Sequence, residues 1–88
     1  MKQIYDEMIF RLHLPPEETV GLRVTIFAFR GVVIEGYKGI LRISAEEIRL
    51  RINKSILVVS GKNLAVAEAS SDEIFIRGDI TAIGVDNG

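Results

Sequence analysis

The sequence predicts a mainly β protein of short antiparallel strands. In three places an apolar run is followed by a glycine and a second apolar run, over residues 24–34, 56–66 and 74–83. Glycine reaches the positive φ angles of tight turns, and the flanking β-branched and aromatic residues suit strands. From Arg23 onward, apolar and polar residues also alternate with the period of two that is typical of a half-buried strand. We therefore predict an antiparallel meander of about eight short strands.

The positions of the apolar runs and turn residues give the strand bounds. In the clearest strand, Ile48, Leu50 and Ile52 point to a core and the residues between them point to water. The first strand carries apolar side chains on both faces, so we expect the sheet to curl into a small sandwich or barrel. The predicted strands are 23–29, 32–36, 39–44, 47–52, 55–60, 63–68, 73–77 and 79–85.

A β-solenoid-like stack is the alternative fold. Residues 46–51 resemble residues 72–77, and such similarity at a fixed period is typical of stacked repeats. However, Gly31 and Gly61 are 30 residues apart, whereas Gly61 and Gly78 are 17 apart. This irregular spacing favours the meander.

One short amphipathic helix is predicted before the strands. Ile4, Met8 and Leu12 recur every fourth residue, and Pro15 ends the pattern because proline disfavours helical geometry in the residue before it. We predict a single domain over residues 1–88, with this helix in 1–14, a linker in 15–22 and the β domain in 23–88.

Composition narrows the class of protein. A chain of 88 residues with 48% hydrophobic and 26% charged residues suits one small globular core. The lack of cysteine excludes disulfides and thiolate metal sites, and the net charge of −1 lacks the basic excess of a general nucleic-acid binder. No apolar run reaches the ~20 residues of a transmembrane helix. We therefore expect a soluble, cytoplasmic protein with no transmembrane segment.

The residues predict no catalytic chemistry. His13 has no second histidine or cysteine with which to bind a metal. The carboxylate pairs Glu17–Glu18, Glu46–Glu47 and Asp72–Glu73 lie at predicted loops or turns, where solvation explains them. The glycines lead into strands, whereas a phosphate-binding loop leads into a helix. We therefore predict no catalytic residue, no metal ligand, no cofactor and no enzymatic activity.

The sequence suggests how the protein could bind other protein chains. Phe27, Phe29 and Phe75 either complete the core beneath the helix or form an apolar interface for assembly. Edge strands 23–29 and 79–85 offer a second route to a homo-oligomer, through strand addition from another copy.

A basic surface on the predicted sheet indicates an alternative function, a small-barrel nucleic-acid-binding module. A basic stripe on neighbouring strands could be formed by Arg42, Arg49, Arg51 and Lys54, centred on the three arginines. Only Tyr37 and Phe75 are suitable as stacking aromatics, so a solvated charged face is favoured and nucleic acid is not the expected partner.

Three segments together carry a family resemblance. In their order, residues 34–40 (IEGYKGI), 60–66 (SGKNLAV) and 76–80 (IRGDI) resemble the YabP/YqfC family of sporulation proteins of endospore-forming bacteria, most closely its YqfC branch. The Leu-Pro step at residues 14–15 matches as well. The family usually has Asn-His where this chain has Gly36-Tyr37, which favours a structural role for the motif. The family-motif turns are Gly31, Ile34, Glu35, Gly36, Tyr37, Lys38, Gly39, Gly61, Asn63, Leu64 and Gly78.

The resemblance implies a role in endospore formation. It suggests a non-enzymatic structural or assembly factor that acts through protein–protein contacts. It further suggests a location in the mother-cell cytoplasm, peripheral at the forespore membrane. A membrane-associated sporulation protein of the YqfD type is the implied partner.

Overall fold

One antiparallel sheet forms the described part of the chain. The computed structural model describes residues 21–27 and 31–86, so the predicted helix, most of the predicted linker and Phe29 lie outside the described residues. The mainly β, antiparallel class is confirmed. The strands are β1 (Arg23–Phe27), β2 (Gly31–Glu35), β3 (Gly39–Ile43), β4 (Glu47–Arg51), β5 (Ile56–Ala69) and β6 (Glu73–Asp86), in the sheet order β1-β2-β6-β5-β4-β3.

The described residues form six strands where eight were predicted, because two predicted turns lie inside long strands. Predicted strands 55–60 and 63–68 are both parts of β5, and 73–77 and 79–85 are both parts of β6. Gly61 follows a register shift in the β5–β6 ladder, which marks a bulge. A bulge and a hairpin turn both favour residues without a Cβ, so the sequence pattern does not distinguish them.

The predicted meander holds for four strands only. Strands β3, β4 and β5 each pair with the next strand along the chain, so that β3 to β6 form the meander. Strand β2 instead pairs with β6, so that Gly31 lies opposite Arg77 and Glu35 opposite Glu73. The N-terminal hairpin β1–β2 is therefore added to the meander beside its last strand.

A short connection forces this sheet to curl. Strands β2 and β3 lie four places apart in the sheet, which is about 19 Å in a flat sheet. The chain between Glu35 and Gly39 has four Cα–Cα steps and spans at most about 15 Å. The sheet must therefore bend to bring its two ends together. The end strands β1 and β3 do not pair with each other within residues 21–27 and 31–86, so the structure is a curled open sheet, neither a closed barrel nor a solenoid-like stack.

The concave face of the curled sheet holds one apolar core. Alternate residues of β2, β4, β5 and β6 point inward, and they come from both halves of the sheet. Because they belong to one cluster, each half supplies the apolar cover that the other half needs. The residues with no exposed surface are Val32, Ile34, Ile48, Leu50, Leu57, Val59, Ile74 and Ile76.

The bulged part of β5 that begins at Gly61, which we call the bend, is hydrogen-bonded to the turn between β3 and β4. The Gly61 N–H donates to the Glu46 carbonyl at 3.0 Å, and the Leu64 N–H donates to the Ala45 carbonyl at 2.8 Å. The backbone of β6 approaches so closely that a Cβ at Gly61 would overlap the Asp79 carbonyl oxygen. Gly61 is therefore required by a close approach of two backbones.

We expect Gly61→Ala to lower the free energy of unfolding by about 1–3 kcal/mol, because β6 must move away from the added methyl group. Gly84→Ala is the matched control in β6, since a Cβ there meets no heavy atom within 4 Å. The control should change stability by less than about 1 kcal/mol. Urea unfolding of both variants measures the difference, and equal effects would contradict the close approach.

Candidate functional site

The family-motif residues form two structural joints. The first joint is the bend, where Gly61, Asn63 and Leu64 of β5 meet Gly78 of β6. Asn63 has a φ of 55° and Gly78 a φ of 133°, so both depart from ordinary strand geometry. Leu64 is only 6% exposed and belongs to the core. These residues fix the path of two long strands.

The second joint is the corner between β2 and β3. Gly36 has a φ of 94°, and its N–H donates to the Asp72 carbonyl at 2.7 Å. A Cβ at this position would overlap the Gly21 carbonyl oxygen. The corner is thus packed between the start of β1 and the turn that joins β5 to β6.

Tyr37 attaches the same corner to the β5–β6 turn. Its side chain is 3% exposed, and its hydroxyl donates a hydrogen bond to the Ser70 carbonyl oxygen. Burial raises the pKa of the Tyr37 phenol above its ordinary value of 10.0, and the charge of Asp72 raises it further. The neutral phenol is therefore favoured in the folded protein, as a structural donor requires.

We expect Tyr37→Phe to lower the free energy of unfolding by about 1 kcal/mol at neutral pH, because the Ser70 carbonyl loses its donor. Because the pKa is raised in the folded protein, the phenol stabilises the fold fully below about pH 10, which is the pKa of tyrosine in an unfolded chain. This contribution is lost as the pH rises through the folded pKa, so the difference between wild type and variant should narrow there.

Urea unfolding between pH 7 and pH 11 measures that difference. Thr81→Val is the control, since it removes an exposed hydrogen bond to the Ser60 carbonyl of 3.2 Å. Its effect should stay below about 0.5 kcal/mol at every pH. A constant gap between Tyr37→Phe and wild type across this range would show that the phenol does not titrate as described.

The other motif residues lie in β2, in β3 and between them. Ile34 is fully buried in the core, and Gly31 begins β2 in a buried position. Glu35 ends β2 half-buried, Lys38 is exposed in the connection, and Gly39 begins β3. Only residues 36–38 of this segment lie outside the strands.

An aromatic surface lies on the convex side of the sheet. We call Phe27, Val33 and Phe75 the phenylalanine face, because Val33 and Phe75 are opposite each other in β2 and β6 and Phe27 reaches them from β1. The two phenylalanine rings meet edge to face, with centroids 6.1 Å apart and an angle of 71°. The residue opposite Phe27 in β2 is Gly31, which has no side chain. The structure thus brings together two of the three predicted interface residues.

An open groove of about 770 Å³ continues from the phenylalanine face to the bend. Its apolar part lies near Phe75, and its polar end carries Arg77 and Asp79. The groove therefore connects the predicted interface to the first joint. The lining residues are Asn63, Ala65, Val66, Ala67, Phe75, Arg77, Gly78 and Asp79.

The predicted basic stripe is only partly present. Arg42 lies opposite Arg49 in the β3–β4 pair, so these arginines do come together. Arg49, however, forms ion pairs with Asp86 and Glu47, both at 2.5 Å. The hydrogen bond to Asp86, and to a smaller extent the one to Glu47, raises the pKa of the Arg49 guanidinium above its ordinary value. The centre of the stripe is thus neutralised, and the predicted stacking residue Tyr37 is buried.

Sequence reasoning missed one exposed surface, the edge of β3 that faces no other strand within residues 21–27 and 31–86 and that we call its free edge. Ile40, Leu41 and Ile43 are 40%, 43% and 54% exposed, whereas their apolar character suggests a core. A register shift between Ile40 and Arg42 marks a bulge in this strand. The available signal was the adjacent pair Ile40-Leu41, which breaks the strict alternation of a half-buried strand.

The described residues contain neither a cluster of metal ligands nor a membrane-spanning helix. Within residues 21–27 and 31–86, no group of three or more acidic, histidine or cysteine side chains is placed to hold a metal ion. The same part of the chain has no helix of the length and apolar character needed to cross a membrane.

The strands and joints define a small domain built on one curled antiparallel sheet. The YabP family model matches residues 20–87, and the chain belongs to that family. It is 30% identical to the uncharacterized protein YqfC of Bacillus subtilis (strain 168) over 73 residues, which cover 82% of this chain and 78% of YqfC. The resemblance seen in the sequence motifs is thereby confirmed. No solved structure gives a significant match.

Proposed function

We propose that this protein is a non-enzymatic assembly factor of endospore formation that binds a partner protein through its phenylalanine face. The observation that carries the proposal is the exposure of Phe27, which is 46% exposed although its ring is held against Phe75. An aromatic side chain that is both exposed and fixed in place is typical of a protein-binding surface.

The surroundings of the phenylalanine face also suit a protein interface. Val33 contributes a half-buried apolar side chain at its centre. Exposed charges at Arg23, Glu73 and Arg77 lie on the same strands around it. An apolar centre with a polar rim is the usual anatomy of a specific protein–protein contact.

A structural role for the motif residues supports the non-enzymatic part of the proposal. Gly36, Gly61 and Gly78 lie where backbones come close together, and Tyr37 holds a corner of the fold. Arg49 is engaged with two carboxylates. These contacts account for the distinctive residues without requiring a reaction.

Membership of the YabP family supports a role in sporulation. We infer that the protein acts in the mother-cell cytoplasm, peripheral at the forespore membrane, and that its partner is a membrane-associated sporulation protein of the YqfD type. The phenylalanine face supplies the contact in this arrangement, because the partner would provide the membrane attachment.

We expect Phe27→Ser and Val33→Ser each to weaken capture of the YqfD-type partner about tenfold, a loss typical of a central apolar interface residue. Val58→Ser is the matched control, since Val58 is a half-buried valine on the convex side of the other half of the sheet. Co-purification from detergent extracts of sporulating cells measures capture, and counts of heat-resistant spores measure function.

Unfolding curves of all three variants ensure that only folded proteins are compared. Unchanged capture and spore counts for Phe27→Ser would contradict the proposed interface. A loss of equal size for Val58→Ser would also contradict it, because the effect would then not be specific to the phenylalanine face.

A further inference from the structure

We propose that strand β3 pairs with β3 of a second copy, so that two curled sheets join edge to edge in an antiparallel dimer. This inference rests on the proposed function as an assembly protein and names one of its partners. The relevant surface is the free edge of β3, on the opposite end of the sheet from β1.

Exposed apolar side chains are concentrated on this edge. Among the residues that the structure describes, four large apolar side chains are well exposed, and three of them, Ile40, Leu41 and Ile43, belong to β3. Natural proteins usually protect an edge strand with charges, prolines or a covering segment. Strand β3 has a single charged residue, Arg42, and its bulge.

Within the part of the chain that the structure describes, the backbone of β3 is paired on one side only. Strand β4 takes up that side, and no strand of the described chain lies on the other. In an antiparallel sheet, alternate N–H and C=O groups then point outward from the edge. Such a row of donors and acceptors binds another extended strand, which distinguishes this edge from a merely apolar patch.

The inner apolar layer continues as far as this edge. Ile40 lies opposite Leu50 and Ile43 opposite Ile48, and both β4 residues are fully buried. Because of the bulge, Ile40 and Ile43 lie on the same inner face although they are three positions apart in the chain. The core layer therefore ends in two isoleucines that no other strand of the described residues covers on their outer side.

Antiparallel pairing of two copies completes this layer in one register. A two-fold axis between Leu41 and Arg42 places Ile40 of each copy opposite Ile43 of the other. The same register places Arg42 opposite Leu41, so no like charges face each other. A surface that matches itself in this way is what a two-fold dimer requires.

The charges flanking β3 favour the antiparallel direction. Lys38 precedes β3 and Glu46 follows it, and both are exposed and without an ion pair among the described residues. Antiparallel pairing brings Lys38 of one copy to the end of the strand that carries Glu46 of the other. Parallel pairing would place the two Lys38 side chains together, which is unfavourable.

Cysteine cross-linking tests the register, since the chain contains no cysteine. We expect a mixture of Ile40→Cys and Ile43→Cys proteins to form a covalent dimer on oxidation, because facing strand positions lie within disulfide range. Each variant alone should cross-link several times less, since its own copies are offset by about 10 Å. Equal cross-linking in a mixture of Phe27→Cys and Ile43→Cys would overturn the proposed pairing.

Sedimentation equilibrium tests the assembly itself. The wild-type protein should show twice the chain mass of 9.8 kDa at high concentration, and Leu41→Lys should show the single mass. Phe27→Ser is the control, because it removes a similarly exposed apolar side chain away from β3. A wild-type protein that keeps the single mass at every concentration would overturn the inference.

The two surfaces can be separated by the same variants. Leu41→Lys should lose self-association and keep measurable capture of the YqfD-type partner. Phe27→Ser should lose capture and keep self-association. A monomeric wild type that still captures the partner would refute only the β3 dimer, and a dimer that captures no partner would refute only the proposed function.

Discussion

The three residues 36–38 that join β2 to β3 impose the shape of the molecule. They connect strands that lie four places apart in the sheet, and only a strongly curled sheet brings those strands within their reach. The curl places the inward-facing residues of both halves in one core. It also directs the other side of each strand outward, where the phenylalanine face lies. The connection therefore determines which apolar residues are buried and which remain available for contacts.

Close approach of backbones explains why glycine is placed as it is. At Gly61 and Gly36, a single added carbon would overlap a carbonyl oxygen of another segment. Tyr37 completes the corner with a buried hydroxyl that binds the Ser70 carbonyl. These motif residues thus belong to the joints of a scaffold. They allow close backbone approaches and form hydrogen bonds within the fold, which is consistent with the assembly role that we propose.

Alternation in the sequence predicted the fold class and much of the core, because a half-buried strand such as Glu47–Arg51 has a clear period of two. The strand count was not accessible, since Gly61 and Gly78 lie in bulged strands whose local sequence also suits hairpins. The pairing of β2 with β6 depends on contacts between distant segments, and local periodicity carries no information about these. The ring contact of Phe27 and Phe75 follows from that pairing, and so does the convergence of the motif residues at the bend.

The placement of β2 next to β6 has a consequence for biosynthesis. Strand β2 pairs with residues 73–77, which leave the ribosome more than thirty residues after β2 itself. During that interval, Val32 and Ile34 lack the strand that covers them in the native sheet. If a neighbouring nascent chain provides its own β6 first, the N-terminal hairpin can be exchanged between the two chains. The order of translation thus leaves the N-terminal hairpin without its neighbouring strand until residues 73–77 have been made.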